Sequence, residues 1–122
     1  MTAHNPMPTE REGVTHKFNV AGLEGYITVG LYSSGQPGEI FLTVKQEGTV
    51  ERGMCHAWAV MASVALQHGV PLEKIVEKMR GIVFEPAGLT KNRDIPTARS
   101  LMDYLARWLE LRFLTPNEKE SK

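Results

Sequence analysis

The stretch ITVGLYSSGQPGEIFLTV, from Ile27 to Val44, holds two alternating apolar runs joined by a turn-rich hexapeptide. Ile27, Val29 and Leu31 share one face, with Tyr26, Thr28 and Tyr32 on the other. After SSGQPG (Ser33–Gly38) the return run sets Ile40, Leu42 and Val44 on one side and Phe41 and Thr43 on the other. A period of two places alternate side chains on one face of an extended strand, and a Gly/Pro/Ser-rich link between two such runs predicts a β-hairpin. Upstream, Val14, His16, Phe18 and Val20 alternate with Thr15, Lys17 and Asn19, and AGLEG (Ala21–Gly25) reads as a turn whose glycines can take positive φ. Three antiparallel strands with one apolar face need a cover.

That cover follows. GMCHAWAVMASVALQHG (Gly53–Gly69) predicts a helix over roughly residues 52–68, with Thr49 as N-cap and Gly69 just past its end. Only His56, Ser63 and Gln67 form a polar stripe, while Trp58, Val60, Met61, Val64, Leu66 and several alanines fill the rest. The helix is therefore expected to be buried on most sides, by its own domain or by a partner subunit. A second helix starts at Pro71, carries Leu72, Ile75, Val76 and Met79 on one face and stops at Gly81. IVFEPAG (Ile82–Gly88) is a short strand or an extended loop. TKNRDIP (Thr90–Pro96) is expected to lead into a last helix, with Asp94 as N-cap and Pro96 in the first turn. Its apolar stripe runs through Ala98, Leu101, Met102, Leu105, Trp108, Leu109 and Phe113, opposite Arg99, Asp103, Arg107 and Glu110. The predicted class is α+β: a three-stranded antiparallel sheet packed on one face by three helices, in the order β-β-β-α-α-α. A mobile arm (residues 1–12) precedes the domain (13–114), and a solvated, disordered tail (115–122) follows it.

With 122 residues, one domain is expected. Lysine plus arginine equals aspartate plus glutamate, 14 each, which argues against a general polyanion binder but leaves room for a local anion site. No apolar run approaches the ~20 residues of a membrane span, and MTAHNPMPTEREG lacks the regions of a signal peptide. The expected location is the cytoplasm. Cys55 is the only cysteine, which removes an intrachain disulfide and a dithiol redox pair, and His4, His16, His56 and His68 show no metal-ligand spacing. No metal site is expected.

Two loops are candidate anion sites. EGTVERG (Glu47–Gly53) enters a helix N-terminus, where Gly48, Thr49 and Gly53 frame free N–H groups, although the plainer reading is a tight strand-to-helix turn. TKNRDIP brings Lys91 and Arg93 ahead of another expected helix start, the stronger phosphate trap of the two, against the plainer reading of a solvated loop. His16, beside Phe18 on the apolar face, is a hydrogen-bonded core histidine or a site residue, the former preferred. Cys55 stands in a first helical turn, where the dipole can lower a thiol pKa, but His56 next to it does not face it. A buried apolar role for the thiol is preferred, and no catalytic constellation is present.

The stretches VTHKFNVAGLEGYITVGLYSSGQPGEIFLTV, ALQHGVPLEKIVEKM and FEPAGLTKNRDIPTARSLMDYLARWL resemble the C-terminal region of class II, adenosylcobalamin-dependent ribonucleotide reductases, which carries a TSCPD-type domain. The resemblance covers about Arg11 to Leu114. It implies that the radical chemistry and the adenosylcobalamin belong to a separate barrel domain, so that this chain binds no cofactor itself. At GTVERGMCH the glycines 48 and 53 match the family pattern, but His56 stands where the family tends to have an acid. TKNRDI lacks the cysteine of the signature of shorter relatives. What the resemblance implies is an accessory module, inert by itself, that associates with a reductase catalytic subunit or with itself as a homodimer or higher oligomer. Lys91 and Arg93 would then bind a nucleotide or nucleic-acid phosphate. The alternative is one component of a split ribonucleoside-diphosphate reductase, active in deoxyribonucleotide synthesis only with separate catalytic subunits.

Overall fold

In the computed structural model, which describes residues 4–45 and 49–114, the elements follow the order β-β-β-α-α-β-β-α. They are β1 (Gly13–Val20), β2 (Leu23–Leu31), β3 (Pro37–Val44), α1 (Val50–Gln67), α2 (Leu72–Met79), β4 (Gly88–Asn92), β5 (Ile95–Ala98) and α3 (Leu101–Leu109). The strands form one antiparallel sheet in the order β3-β2-β1-β4-β5. The α+β class holds, but the expected three-stranded sheet is in fact five-stranded. The two extra strands come from the segment assigned to an extended link and a helix start. The chain divides into two units, one running to Phe18 and from Glu24 to Pro71, the other taking Asn19–Leu23 and everything from Leu72 onward.

In the first unit the predicted hairpin is present, with Val29 opposite Ile40 and Ile27 opposite Leu42. The alternation decides the burial: Ile27, Val29, Ile40, Leu42 and Val44 are all but solvent-free, whereas Phe41 is 54% exposed. The turn closes with Tyr32 N donating to the Gln36 carbonyl (2.9 Å) and Gly35 N to the Tyr32 carbonyl (2.8 Å). Gly25 is a packing requirement and not a turn residue, because a Cβ there would lie 2.1 Å from the Thr43 carbonyl and 2.8 Å from the Phe18 ring.

α1 packs on β3 through Cys55, Ala59, Ala62 and Leu66, a seam of one helical face whose small middle residues admit a close approach. Thr49 caps it as expected, its Oγ accepting the Arg52 N–H (3.3 Å). The expectation of burial on most sides fails within this unit. Met54 and Met61 are each 65% exposed, and Val60 and Val64 nearly half exposed. A single alanine-rich seam is all that β3 covers. The Ser63 hydroxyl accepts the Ile40 N–H (2.8 Å) and lies 3.1 Å from the Ile40 carbonyl, while Gln67 Nε2 donates to the Gly38 carbonyl (3.1 Å). Residues 4–12, expected as a mobile arm, are bonded to the same unit. Asn5 N donates to the Gln67 carbonyl (2.8 Å), the Tyr32 hydroxyl to the Asn5 carbonyl (2.6 Å), and Arg11 pairs through two nitrogens with buried Glu39. The predicted tail lies outside the described residues.

In the second unit, Leu72, Val76 and Met79 of α2 and Leu101, Leu105, Trp108 and Leu109 of α3 supply the core, as the periodicity predicts; Tyr104, outside the expected stripe, joins them, while Ile75 and Met102, expected in it, are only half-buried. Gly81 ends the α2 segment at φ +84°, a left-handed conformation that glycine adopts without strain. β4 joins β1 where Val20 pairs with Thr90. Asp94 is not a helix cap. It follows Arg93 in a tight β4–β5 turn, where the Asp94 N–H donates to Asn92 Oδ1 (2.9 Å) and Asn92 pairs with Ile95. Pro96 lies in β5, and the helix begins five residues beyond it at Leu101, capped by Ser100. Among the described residues no helix is long and apolar enough to cross a membrane.

The glycine contacts generate a paired prediction. Gly25→Ala should destabilise the protein by on the order of 3 kcal/mol, since backbone must move. Gly53→Ala, in an exposed helical turn with nothing within 4 Å of the new methyl, should stabilise by about 0.5–1 kcal/mol. Urea midpoints of the two variants check both signs.

Candidate anion-binding site

The first turn of α3 is built around two short side chains. Ser100 Oγ accepts the Asp103 N–H (3.0 Å) and donates to the Ile82 carbonyl (2.6 Å). The Asp103 carboxylate reaches back, Oδ2 accepting the Arg99 N–H (3.0 Å) and Oδ1 the Gly81 N–H (2.9 Å). A Ser and an acid three residues apart make a reciprocal cap, here extended to the glycine that ends the α2 segment. Asp103, expected on the wet face of its helix, is 4% exposed. Burial by itself raises its pKa, but the Arg99 and Gly81 N–H groups and then the charges of Arg107 and Arg99 outweigh that, so the net shift is downward.

Arg107, one turn on, donates through Nη2 to Asp103 Oδ2 (3.2 Å) and to the Thr97 carbonyl, while its Nε is buried without a hydrogen-bond partner. Arg80 pairs with Glu110. Arg80, Arg99 and Arg107, with Gly81, Thr97, Ala98 and Asp103, line a cleft of about 430 Å³. Three guanidinium groups there stand against the carboxylates of Asp103 and Glu110. Planar guanidinium forks suit oxyanions, and a cleft with surplus positive charge can hold a phosphate.

The residues singled out in the sequence do not assemble there. Lys91 and Arg93 are exposed at the β4–β5 turn, and without a helix start beside them the N-terminal half of that phosphate trap is gone. Thr49 and Gly53 lie at the α1 N-terminus, where the Thr49 side chain already engages a backbone donor; Gly48 lies outside the described residues. Burial, then the charge of Glu51, push the Cys55 thiol up, opposite to the lowering a helix dipole gives, so its thiolate is scarce at neutral pH. Burial lowers the pKa of half-buried His16, favouring neutral imidazole. Among the described residues no three His, Cys, Asp or Glu side chains come together as a metal-ligand set. Arg80, Arg99 and Arg107 were missed as a cluster because they sit on separate segments, although the Ser100–Asp103 spacing signalled the helix start beside them.

Removing the Asp103 charge tests this arrangement. Asp103→Asn should cost about 2–3 kcal/mol at pH 7, since one amide oxygen cannot hold both donors. A depressed folded-state pKa contributes stability above the unfolded-state value of about 3.9 and loses it as the pH falls through the folded-state value. The gap in urea midpoint between wild type and variant should therefore stay constant down to about pH 4 and close only below it.

Comparison with known proteins adds the context. The profile of the TSCPD domain matches residues 2–113. The chain is 47% identical over 112 residues to a vitamin B12-dependent ribonucleotide reductase of Rhodopirellula baltica, covering 92% of this chain and 11% of that protein. It is 44% identical over 108 residues to the protein of that name from Streptantibioticus cattleyicolor (88% of this chain, 18% of the other). With the Agrobacterium fabrum protein of that name it shares 39% over 109 residues (88% and 9%). The chain thus spans less than a fifth of the length of these relatives. No solved structure matches it.

Proposed function

The chain belongs to the TSCPD domain family, and on that footing we propose that it is a cytoplasmic, non-catalytic accessory domain of the vitamin B12-dependent ribonucleotide reductase type that holds a nucleotide by its phosphates in the Arg80–Arg99–Arg107 cleft. The cleft carries this reading: three arginines from different segments line it, around a carboxylate, Asp103, that already accepts the Arg99 and Gly81 N–H groups. Support for a non-catalytic role comes from Cys55, the chain's single cysteine, which is buried and held as a thiol, unsuited to shuttling electrons.

Calorimetric titration with pyrophosphate, a deoxynucleoside triphosphate and a short single-stranded DNA tests the ligand. The expected result is heat with the first two and at least about a tenfold weakening in Arg99→Ala, the loss of one charge-assisted contact. The Lys91→Ala, Arg93→Ala double variant should bind as the wild type does. Unchanged binding in Arg99→Ala removes the cleft from the proposal, and heat with DNA alone removes the nucleotide.

The relatives' length favours a second reading, one component of a split reductase working with separately supplied catalytic subunits. Deoxynucleotide formation by a reductase catalytic region, measured with and without this chain, separates the two: a gain in turnover on addition supports the split enzyme, and no gain rejects it.

A further inference from the structure

The solvent face of the β2–β3 hairpin carries two aromatic rings. Tyr26 is 44% and Phe41 54% exposed, on the side of the sheet opposite buried Ile27, Val29, Ile40 and Leu42. Tyr26 pairs with Thr43 and Thr28 with Phe41. These four residues form a square with the rings on one diagonal and threonines on the other, the diagonal being about 7–8 Å. Towards β1, the Thr15 and Thr28 hydroxyls lie 3.0 Å apart and the Leu31 N–H donates to the Glu12 carbonyl (2.8 Å), which sets Lys17 opposite Tyr26. Lys45, two residues beyond Thr43, rises on the same face diagonal to Tyr26. Lysines therefore flank Tyr26 on either side, and short threonine side chains leave both rings uncovered. Lys45 also pairs with partly exposed Glu24 (2.9 Å), but a pair so accessible to water is worth little, and a phosphate can compete for it. Glu39, two residues before Phe41, is neutralised by Arg11, which leaves Lys17 as the surplus charge of this face. α1 borders the outer side of β3, where His56 and Val60 share a groove with Phe41 and Thr43.

We propose that this face binds single-stranded RNA: successive bases stack on Tyr26 and Phe41, and Lys17 and Lys45 take the phosphates. Every base has a π-face, so two rings on adjacent strands hold two neighbouring nucleotides of a splayed strand without reading their sequence. A duplex keeps its bases stacked on one another and presents none to the rings. The Thr28 and Thr43 hydroxyls stand between the rings, where the sugars of stacked nucleotides come down. A ribose 2′-OH can donate to or accept from a hydroxyl there, and a deoxyribose has no such group. The even charge balance of the chain, 14 cationic against 14 acidic residues, speaks against a binder of polyanions at large. A site of two rings and two lysines draws its affinity from stacking more than from charge. It lies wholly in the first unit and is independent of the arginine cleft.

Fluorescence anisotropy of a labelled RNA of about eight nucleotides tests the face. The protein should bind it more tightly than DNA of the same sequence. Tyr26→Thr and Phe41→Thr retain strand propensity, and each should weaken binding about 5- to 150-fold, the worth of one stacked base. Tyr26→Phe, which keeps the ring, should bind as the wild type does, and urea midpoints report that each variant is folded. Between about 50 and 200 mM salt, the logarithm of the association constant should fall against that of the salt concentration with a slope of about −1.4, and of about −0.7 in Lys17→Ala. Arg99→Ala should leave RNA binding unchanged, which separates this face from the cleft. Failure to bind the RNA, DNA binding as tight as RNA, or full affinity in both folded threonine variants overturns the proposal.

Discussion

The second unit depends on one carboxylate. Asp103 takes the N–H groups of Gly81 and Arg99, which belong to segments far apart in sequence, and it does so from the first turn of the helix that supplies most of that unit's core. Burying a charge is costly unless every lone pair has a partner. Here two backbone donors and Arg107 provide them, and Ser100 returns the bond by holding the Asp103 N–H and the Ile82 carbonyl. The link after α2, the end of β5 and the start of α3 are thereby fixed together, and the arginine cleft is a by-product of that fixation. Its walls, Arg80, Arg99 and Arg107, stand next to residues the carboxylate holds.

Much of the fold was legible because a period of two or 3.6 survives where one face is buried. The β2–β3 hairpin, the Thr49 cap, the α2 stripe and the α3 stripe all follow from it. β4 and β5 were not legible. They are five and four residues long, Leu89 on β4 is 74% exposed, and Pro96 interrupts the only other apolar signal, Ile95. Asn92 opening a tight turn through its side chain was the one available cue, and Asp94 beside Pro96 imitated a helix start convincingly. The exposed side of α1 was misjudged for a different reason: apolar content predicts that a surface wants cover, not that the same unit provides it.

The candidate site was less legible than the fold. Sequence proximity favoured Lys91 and Arg93, which are two residues apart, whereas the arginines that line a common cleft come from the α2 terminus, the α3 cap region and the helix itself. Charge clusters built by tertiary structure leave no spacing signature. The capping pair Ser100 and Asp103 does leave one, since a serine followed three positions later by an acid marks a helix start.

Glu39 carries a consequence for anyone isolating this domain. Its carboxylate is nearly enclosed, Gly30 keeps space for it by having no side chain, and its counter-ion is Arg11, which precedes the first strand. A recombinant fragment trimmed to begin at Gly13 would look complete on a diagram of strands and helices, yet it would strand an enclosed negative charge at the mouth of the hairpin. The working boundary of the domain is therefore set by electrostatics, at or before Arg11, ahead of where the first strand begins.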